Sequence, residues 1–165
     1  MADEIRVPIT ADVDMVPARA HARALAVELG FSRTDATLIA TAISEIARNI
    51  IVHAGEGEIV YSPVYEDDRY GLVVTARDAG PGIRDVAAAL EHGYASGGGL
   101  GLGLPGARRL MDEFEILSEV DKGTTVTMKK WRTRHPLERL RDRRPHTIGP
   151  PPKHARDSST GSAEP

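Results

Sequence analysis

Two runs rich in β-branched and aromatic residues, Glu58 to Tyr65 and Tyr70 to Arg77, are separated by only four polar residues, Glu66-Asp67-Asp68-Arg69. Two strands this close together form a β-hairpin, because a parallel pair needs a crossover of a dozen residues or more. A second hairpin is predicted from Phe114 to Val120 and Thr124 to Trp131, around the turn Asp121-Lys122-Gly123. At least part of the sheet is therefore antiparallel, which argues against a doubly wound parallel sheet. A short strand from Glu4 to Ile9 places Ile5, Val7 and Ile9 on one face.

Between the first strand and the first hairpin the period changes to that of helices. Asp12 or Asp14 is expected to cap a helix that runs to about Leu29 and stops at Gly30. Ser32-Arg33-Thr34-Asp35 has the spacing of a capping box. It opens a second helix to about His53, with Ile39, Ala42, Ile43, Ile46, Ala47 and Ile50 as one apolar stripe. Asp85 to His92 reads as a short Ala-rich helix and Leu104 to Glu113 as a fourth. About five strands and four helices give one α/β (α+β) domain, with no internal repeats.

Aromatic residues make up only 4% of the 165, so the core is aliphatic. A chain of this length buries a core without disulfide or metal staples. It contains no cysteine, which excludes a disulfide scaffold, a thiolate metal site, an iron–sulfur cluster and a cysteine nucleophile. The six histidines show neither metal-ligand spacing nor the order of a Ser/His/Asp triad; His53, closing a helix, is read as a surface residue. Trp131 is read as a packing residue. No run approaches a membrane span, and Met1 to Thr10 lacks the apolar stretch of a signal peptide, so a cytoplasmic location is expected.

The net charge of −3 is unevenly distributed. From Arg132 onward there are eight Lys/Arg against four Asp/Glu, a net of +4, which leaves −7 on the first 131 residues. Six of the eleven prolines lie beyond Trp131, with Pro150-Pro151-Pro152 and a run of Ser, Thr and Gly. Residues 1–131 are thus expected to form the domain, and 132–165 a basic, disordered tail. Nucleic-acid binding through that tail is disfavoured by the acidic body and the few aromatics available for stacking.

Four constellations bear on chemistry. Glu45 and Asn49, spaced i and i+4, share one face of the second helix. They form either a solvated polar face or a proton-accepting carboxylate beside an amide oxygen suited to Mg²⁺. Asp78-Ala79-Gly80-Pro81-Gly82 follows a strand. It is a tight Asx turn, or an acceptor for a ligand amine with glycines that let the backbone lie against a flat ring. Five glycines between Gly97 and Gly103 precede a helix, as a flexible loop or as a cradle for phosphate at a helix N-terminus. Gly123-Thr124 alone is turn chemistry. The string Gly101-Leu102-Gly103-Leu104-Pro105-Gly106 matches a dinucleotide fingerprint, with Glu119 near the ribose distance, but its glycines do not follow a strand. No phosphate-binding P-loop and no protein-kinase signature is present.

Taken in order, these segments resemble the boxes of the GHKL ATP-binding superfamily. Glu45-Ile46-Ala47-Arg48-Asn49 is similar to its N box, Asp78-Ala79-Gly80-Pro81-Gly82 to its DxGxG box, Gly97 to Gly103 to its ATP lid and Gly123-Thr124 to its final GT element. Thr41 to Ile50, Gly99 to Gly106 and Arg109-Leu110-Met111-Asp112-Glu113-Phe114 look like the anti-sigma-factor serine/threonine kinase branch, RsbT-type switch kinases above all. The resemblance covers Ile5 to Trp131 and stops short of the tail.

The resemblance implies a Bergerat fold, a two-layer sandwich of helices over a mixed β-sheet. It implies ATP and Mg²⁺ as cofactors, and phosphorylation of Ser or Thr on STAS-domain proteins akin to RsbS and RsbR in the stressosome. It also implies activation of a PP2C-type phosphatase akin to RsbU in a sigma-factor stress response. Carried over by residue, Glu45 is the catalytic base and Asn49 the Mg²⁺ ligand. Asp78 receives the adenine amino group, with Gly80 in the same box and Gly82 against the ring. Gly97, Gly98, Gly99, Gly101 and Gly103 cover the phosphates, Thr124 contacts the adenine side, and Arg48 is a further candidate for positioning phosphate. The alternative is a non-catalytic, nucleotide-gated binding switch, acting as phosphatase activator or anti-sigma factor. The Glu45 carboxylate favours catalysis, since binding alone needs no base.

Overall fold

Ile9, Ile59, Leu72, Val74 and Met128 come from four different strands, yet all are fully buried on one side of a single sheet. The computed structural model describes residues 4–92 and 103–133. Within them five strands appear: β1 (Ile5–Ile9), β2 (Gly57–Glu66), β3 (Arg69–Asp78), β4 (Glu113–Glu119) and β5 (Gly123–Trp131). Their spatial order is β1-β2-β3-β5-β4, and all four pairings are antiparallel.

The helices are α1 (Met15–Glu28), α2 (Arg33–His53), α3 (Val86–His92) and α4 (Gly103–Leu110), with a short 3-10 turn at Asp12–Asp14. The expected helices over a five-stranded sheet are present. The sheet itself is antiparallel throughout its described pairings, where the resemblance implied a mixed one. Connectivity gives the reason. The hairpin of α1 and α2 returns the chain to the end of the sheet it left, so β2 runs against β1. After β3 the chain re-enters as β4 in the same direction, but β5 inserts between them and pairs with both in the opposite sense.

The helix layer is held by small residues. Ala18, Ala22, Leu25 and Ala26 form the buried stripe of α1, and all six stripe residues predicted for α2 are buried. Alanines let helices approach closely, and isoleucines then fill the space above the sheet. Tyr61 carries a polar atom deep into this core. Its hydroxyl donates to the carbonyl oxygen of Ala18 at 2.8 Å, tying β2 to α1, and burial pushes the phenol pKa well above its usual value. The opposite sheet face is mixed, with Arg6, Arg77, Glu115 and Leu117 exposed and Val60 buried.

Local signals hold with two differences. Ser32 Oγ accepts the N–H of Asp35 at 3.1 Å, as a cap should, and α2 ends at His53. Asp14, a candidate cap for α1, turns backward instead: its Oδ2 accepts the N–H groups of Thr10 and Ala11, and these bonds hold its pKa below the usual value. The fourth helix ends at Leu110, three residues before its predicted end at Glu113. Asp112 N–H donates to Lys129 and Glu113 pairs with Lys129, so sheet pairing overrides helix propensity there. Among the described residues no helix is long and apolar enough to cross a membrane.

Candidate active site

Register builds the site. Gly57 pairs with Asp78, Asp78 with Thr124, and Thr124 with Ser118, so one transverse row crosses β2, β3, β5 and β4. Directly opposed residues share a face of the sheet, here the face under the helices. Asp78 ends β3 and begins the loop that sequence singled out. Its Oδ1 accepts the N–H of Gly80 at 2.9 Å, an Asx turn. One carboxylate oxygen thus shapes the loop, and the other is available to an amine.

The loop is clamped from two sides. A Cβ on Gly80 would lie 2.6 Å from that of Ala54, just past the end of α2. Gly82 has φ +74°, and a Cβ there would collide with the carbonyl oxygen of Glu119. Both glycines are therefore required by close approach, and Gly82 also by its backbone conformation. From the other side the β4–β5 turn holds on, with Asp121 N–H donating to the carbonyl of Pro81 at 2.8 Å.

Thr124 is the buried polar residue of this row, 6% exposed. Its Oγ1 lies 2.8 Å from Ser118 Oγ. Ser118 also accepts the N–H of Ile83 at 2.7 Å and donates to the carbonyl of Gly123 at 3.2 Å. One hydroxyl thus joins the loop exit, the start of β5 and the predicted adenine-side threonine. Ser118 belongs to none of the sequence motifs. The signal was present, since the alternation that turns Phe114 and Ile116 inward turns Ser118 inward too.

Glu45 and Asn49 are half-buried on α2, and Arg48 is exposed. Glu45 Oε2 accepts the N–H of Gly103 at 3.0 Å, which makes it a cap for α4 supplied by another helix. The candidate base therefore stands where the glycine-rich run ends. Of that run only Gly103 is within the described residues; Gly97, Gly98, Gly99 and Gly101 lie outside them. His53 continues the face, at i+8 from Glu45. It is half-buried rather than a surface residue, and burial lowers its pKa while the nearby Asp78 charge partly restores it. Among the described residues no group of three or more His, Cys, Asp or Glu is placed to hold a metal ion. The amide oxygen of Asn49 suits Mg²⁺ as a lone protein ligand, because that ion keeps waters and phosphate oxygens around it.

Residues 8–130 match the family described as Histidine kinase-like ATPase domain. The chain belongs to this family. As a Histidine kinase-like ATPase domain it has an ATP-binding fold, and the boxes read from the sequence fall within the matched span. The antiparallel sheet rules out the dinucleotide reading of Gly101 to Gly106, which requires parallel strands. Among curated relatives, the chain is 46% identical over 131 residues to the serine/threonine-protein kinase RsbT of Bacillus subtilis (strain 168), covering 79% of this chain and 98% of that one. It is 34% identical over 121 residues to an anti-sigma F factor of Clostridium perfringens, covering 68% and 84%. An anti-sigma F factor of Geobacillus sp. (strain WCH70) is 34% identical over 124 residues, covering 71% and 84%.

Proposed function

We propose that this chain is an ATP- and Mg²⁺-dependent serine/threonine-protein kinase. In this reading it transfers the γ-phosphate to Ser or Thr of a STAS-domain protein, and so acts as a partner-switching regulator of a sigma-factor stress response. The observation that carries the reading is the Glu45 carboxylate at the N-terminus of α4, 3.0 Å from the Gly103 N–H, on the helix face shared with Asn49. The 46% identity to a named serine/threonine-protein kinase over nearly all of that relative's length supports it.

The chemistry asks little covalent help of the protein. The substrate hydroxyl oxygen bonds to the γ-phosphorus as the bond to the β–γ bridging oxygen breaks, and ADP leaves with that electron pair. The hydroxyl proton goes to the Glu45 carboxylate. Asp78 and Thr124 hold the adenine, and Gly80 and Gly82, closed against Ala54 and Glu119, shape the loop so that its backbone can lie against the ring. The glycine-rich run is the proposed phosphate cover, and at its end the Gly103 N–H is engaged by Glu45. Asn49 would hold Mg²⁺, whose contribution is to neutralise phosphate charge. Partners akin to RsbS and RsbR are the substrates, and a PP2C-type phosphatase akin to RsbU is the protein it activates when released from them.

The anti-sigma F relatives favour a second reading, a nucleotide-gated switch that sequesters a sigma factor without needing transfer. One experiment separates the two. ATP labelled at the γ-phosphate is offered with Mg²⁺ and STAS-domain proteins from the same organism, alongside Asn49→Ala and Asp78→Asn. The expected result is labelling of a STAS protein by the unmodified chain alone. Intact ATP binding with no labelling of any such protein gives the second reading. Equal ATP affinity in the unmodified chain and Asp78→Asn overturns the adenine assignment.

A further inference from the structure

The hydroxyl of Ser118 has three neighbours and one proton. It accepts from Ile83 N–H at 2.7 Å, donates to Gly123 O at 3.2 Å and meets Thr124 Oγ1 at 2.8 Å. A serine hydroxyl offers one donor and two acceptor lone pairs. All three bonds are made together in only one arrangement: Ser118 donates to Gly123 and accepts from both Ile83 and Thr124. Reversing the Thr124 bond takes the proton away from Gly123 O and forfeits the 3.2 Å bond there, at the buried start of β5. The arrangement that keeps all three bonds has Thr124 as the donor to Ser118, which leaves its lone pairs for a ligand.

We infer that Ser118 is a positioning residue for base recognition, fixing Thr124 as a hydrogen-bond acceptor toward the purine. This rests on the proposed reading of Asp78 and Thr124 as the adenine-side residues. Asp78 lies beside Thr124 in the same sheet row and, ionised, is an acceptor as well. Two acceptors at the end of one row select a base edge rich in N–H. The 6-amino group of adenine supplies donors there, whereas a 6-keto purine presents an acceptor and is rejected. Without Ser118, the Thr124 hydroxyl turns freely and can donate to a keto oxygen, so discrimination falls.

The test is equilibrium binding of ATP and of inosine triphosphate, which replaces the 6-amino group by a keto oxygen. The full chain is compared with Ser118→Ala, Ser118→Thr, Thr124→Val and the double variant Ser118→Ala/Thr124→Val. Ser118→Ala is expected to lower the ATP-to-inosine triphosphate affinity ratio by about 3–10-fold, the size of one neutral hydrogen bond. Ser118→Thr keeps the hydroxyl and the ratio. In the Thr124→Val background, Ser118→Ala changes the ratio no further. Should Ser118→Ala fail to fold, Ser118→Cys, similar in size and a weak donor and acceptor, carries the same expectation. Equal weakening of both nucleotides by Ser118→Ala would mean it merely braces the loop, and overturns the inference. So does an unchanged ratio in Ser118→Ala when Thr124→Val lowers it. An unchanged ratio in Thr124→Val itself overturns the underlying reading of Thr124.

Discussion

His53 lies one helical turn beyond Asn49 and within the field of Asp78, so its ionisation reports on the site. Burial favours the neutral imidazole, and the Asp78 charge offsets only part of that cost, which leaves the folded pKa below 6.5. The unfolded chain therefore binds a proton at His53 more readily than the folded one does. The stability this residue contributes is whole above about pH 6.5 and is lost as pH falls through that value toward the lowered folded pKa. Replacing it removes the effect. In urea unfolding at about pH 7.5 and about pH 5, His53→Gln is expected to lose less stability on acidification than the unmodified chain. Matching losses in the two proteins would show that His53 does not titrate in that window. Nothing in the sequence alone distinguished this residue from a surface histidine at a helix end. Its neighbour Ala54 is met by Gly80, a contact between segments about 26 residues apart that no local pattern announces.

At the scale of elements, α2 was the most legible part of the chain. Its start was marked by Ser32, its stripe by isoleucine and alanine, and its end by the Ala54-Gly55 break, all local signals. The end of α4 was not legible, because Asp112 and Glu113 are claimed by β5, a strand later in sequence. The bond from Gly103 to Glu45 was equally hidden, since it joins residues 58 positions apart. It gives Glu45 two roles that substitutions can separate. Glu45→Gln keeps an oxygen to accept the Gly103 N–H but loses the proton acceptor. Glu45→Ala loses both. Phosphate transfer is expected to fall in both variants by roughly 10²–10⁴-fold. Stability should fall only in Glu45→Ala, by the value of a helix cap, about 1 kcal/mol, read as a lower melting temperature. Equal melting temperatures in the two variants would remove the capping role, and full transfer activity in Glu45→Gln would remove the base.

For the whole molecule the sequence supplied each box, and the fold supplied their meeting. Asp78, Ser118 and Thr124 share a row only because β5 lies between β3 and β4, and strand order has no local signature in the residues themselves. The domain boundary follows the same logic. Composition places it after Trp131, where β5 ends, but Arg132 is built into the domain. Its backbone N–H donates to Tyr70 O at 2.8 Å, its guanidinium carbon lies 5.2 Å from the Tyr70 ring centroid, and its Nη1 approaches Leu29 O at the end of α1 at 3.5 Å. One backbone hydrogen bond and one cation–π contact together amount to about 1–2 kcal/mol, or several degrees of melting temperature at this size. A chain ending at Thr133 is expected to match the full chain in melting temperature and ATP affinity. A chain ending at Trp131 should melt several degrees lower and still bind ATP, because the row from Asp78 to Ser118 lies at the other end of β5. Calorimetry and nucleotide titration of the two truncations decide the point: a lower melting temperature already at Thr133 would extend the folded domain into the basic segment that follows.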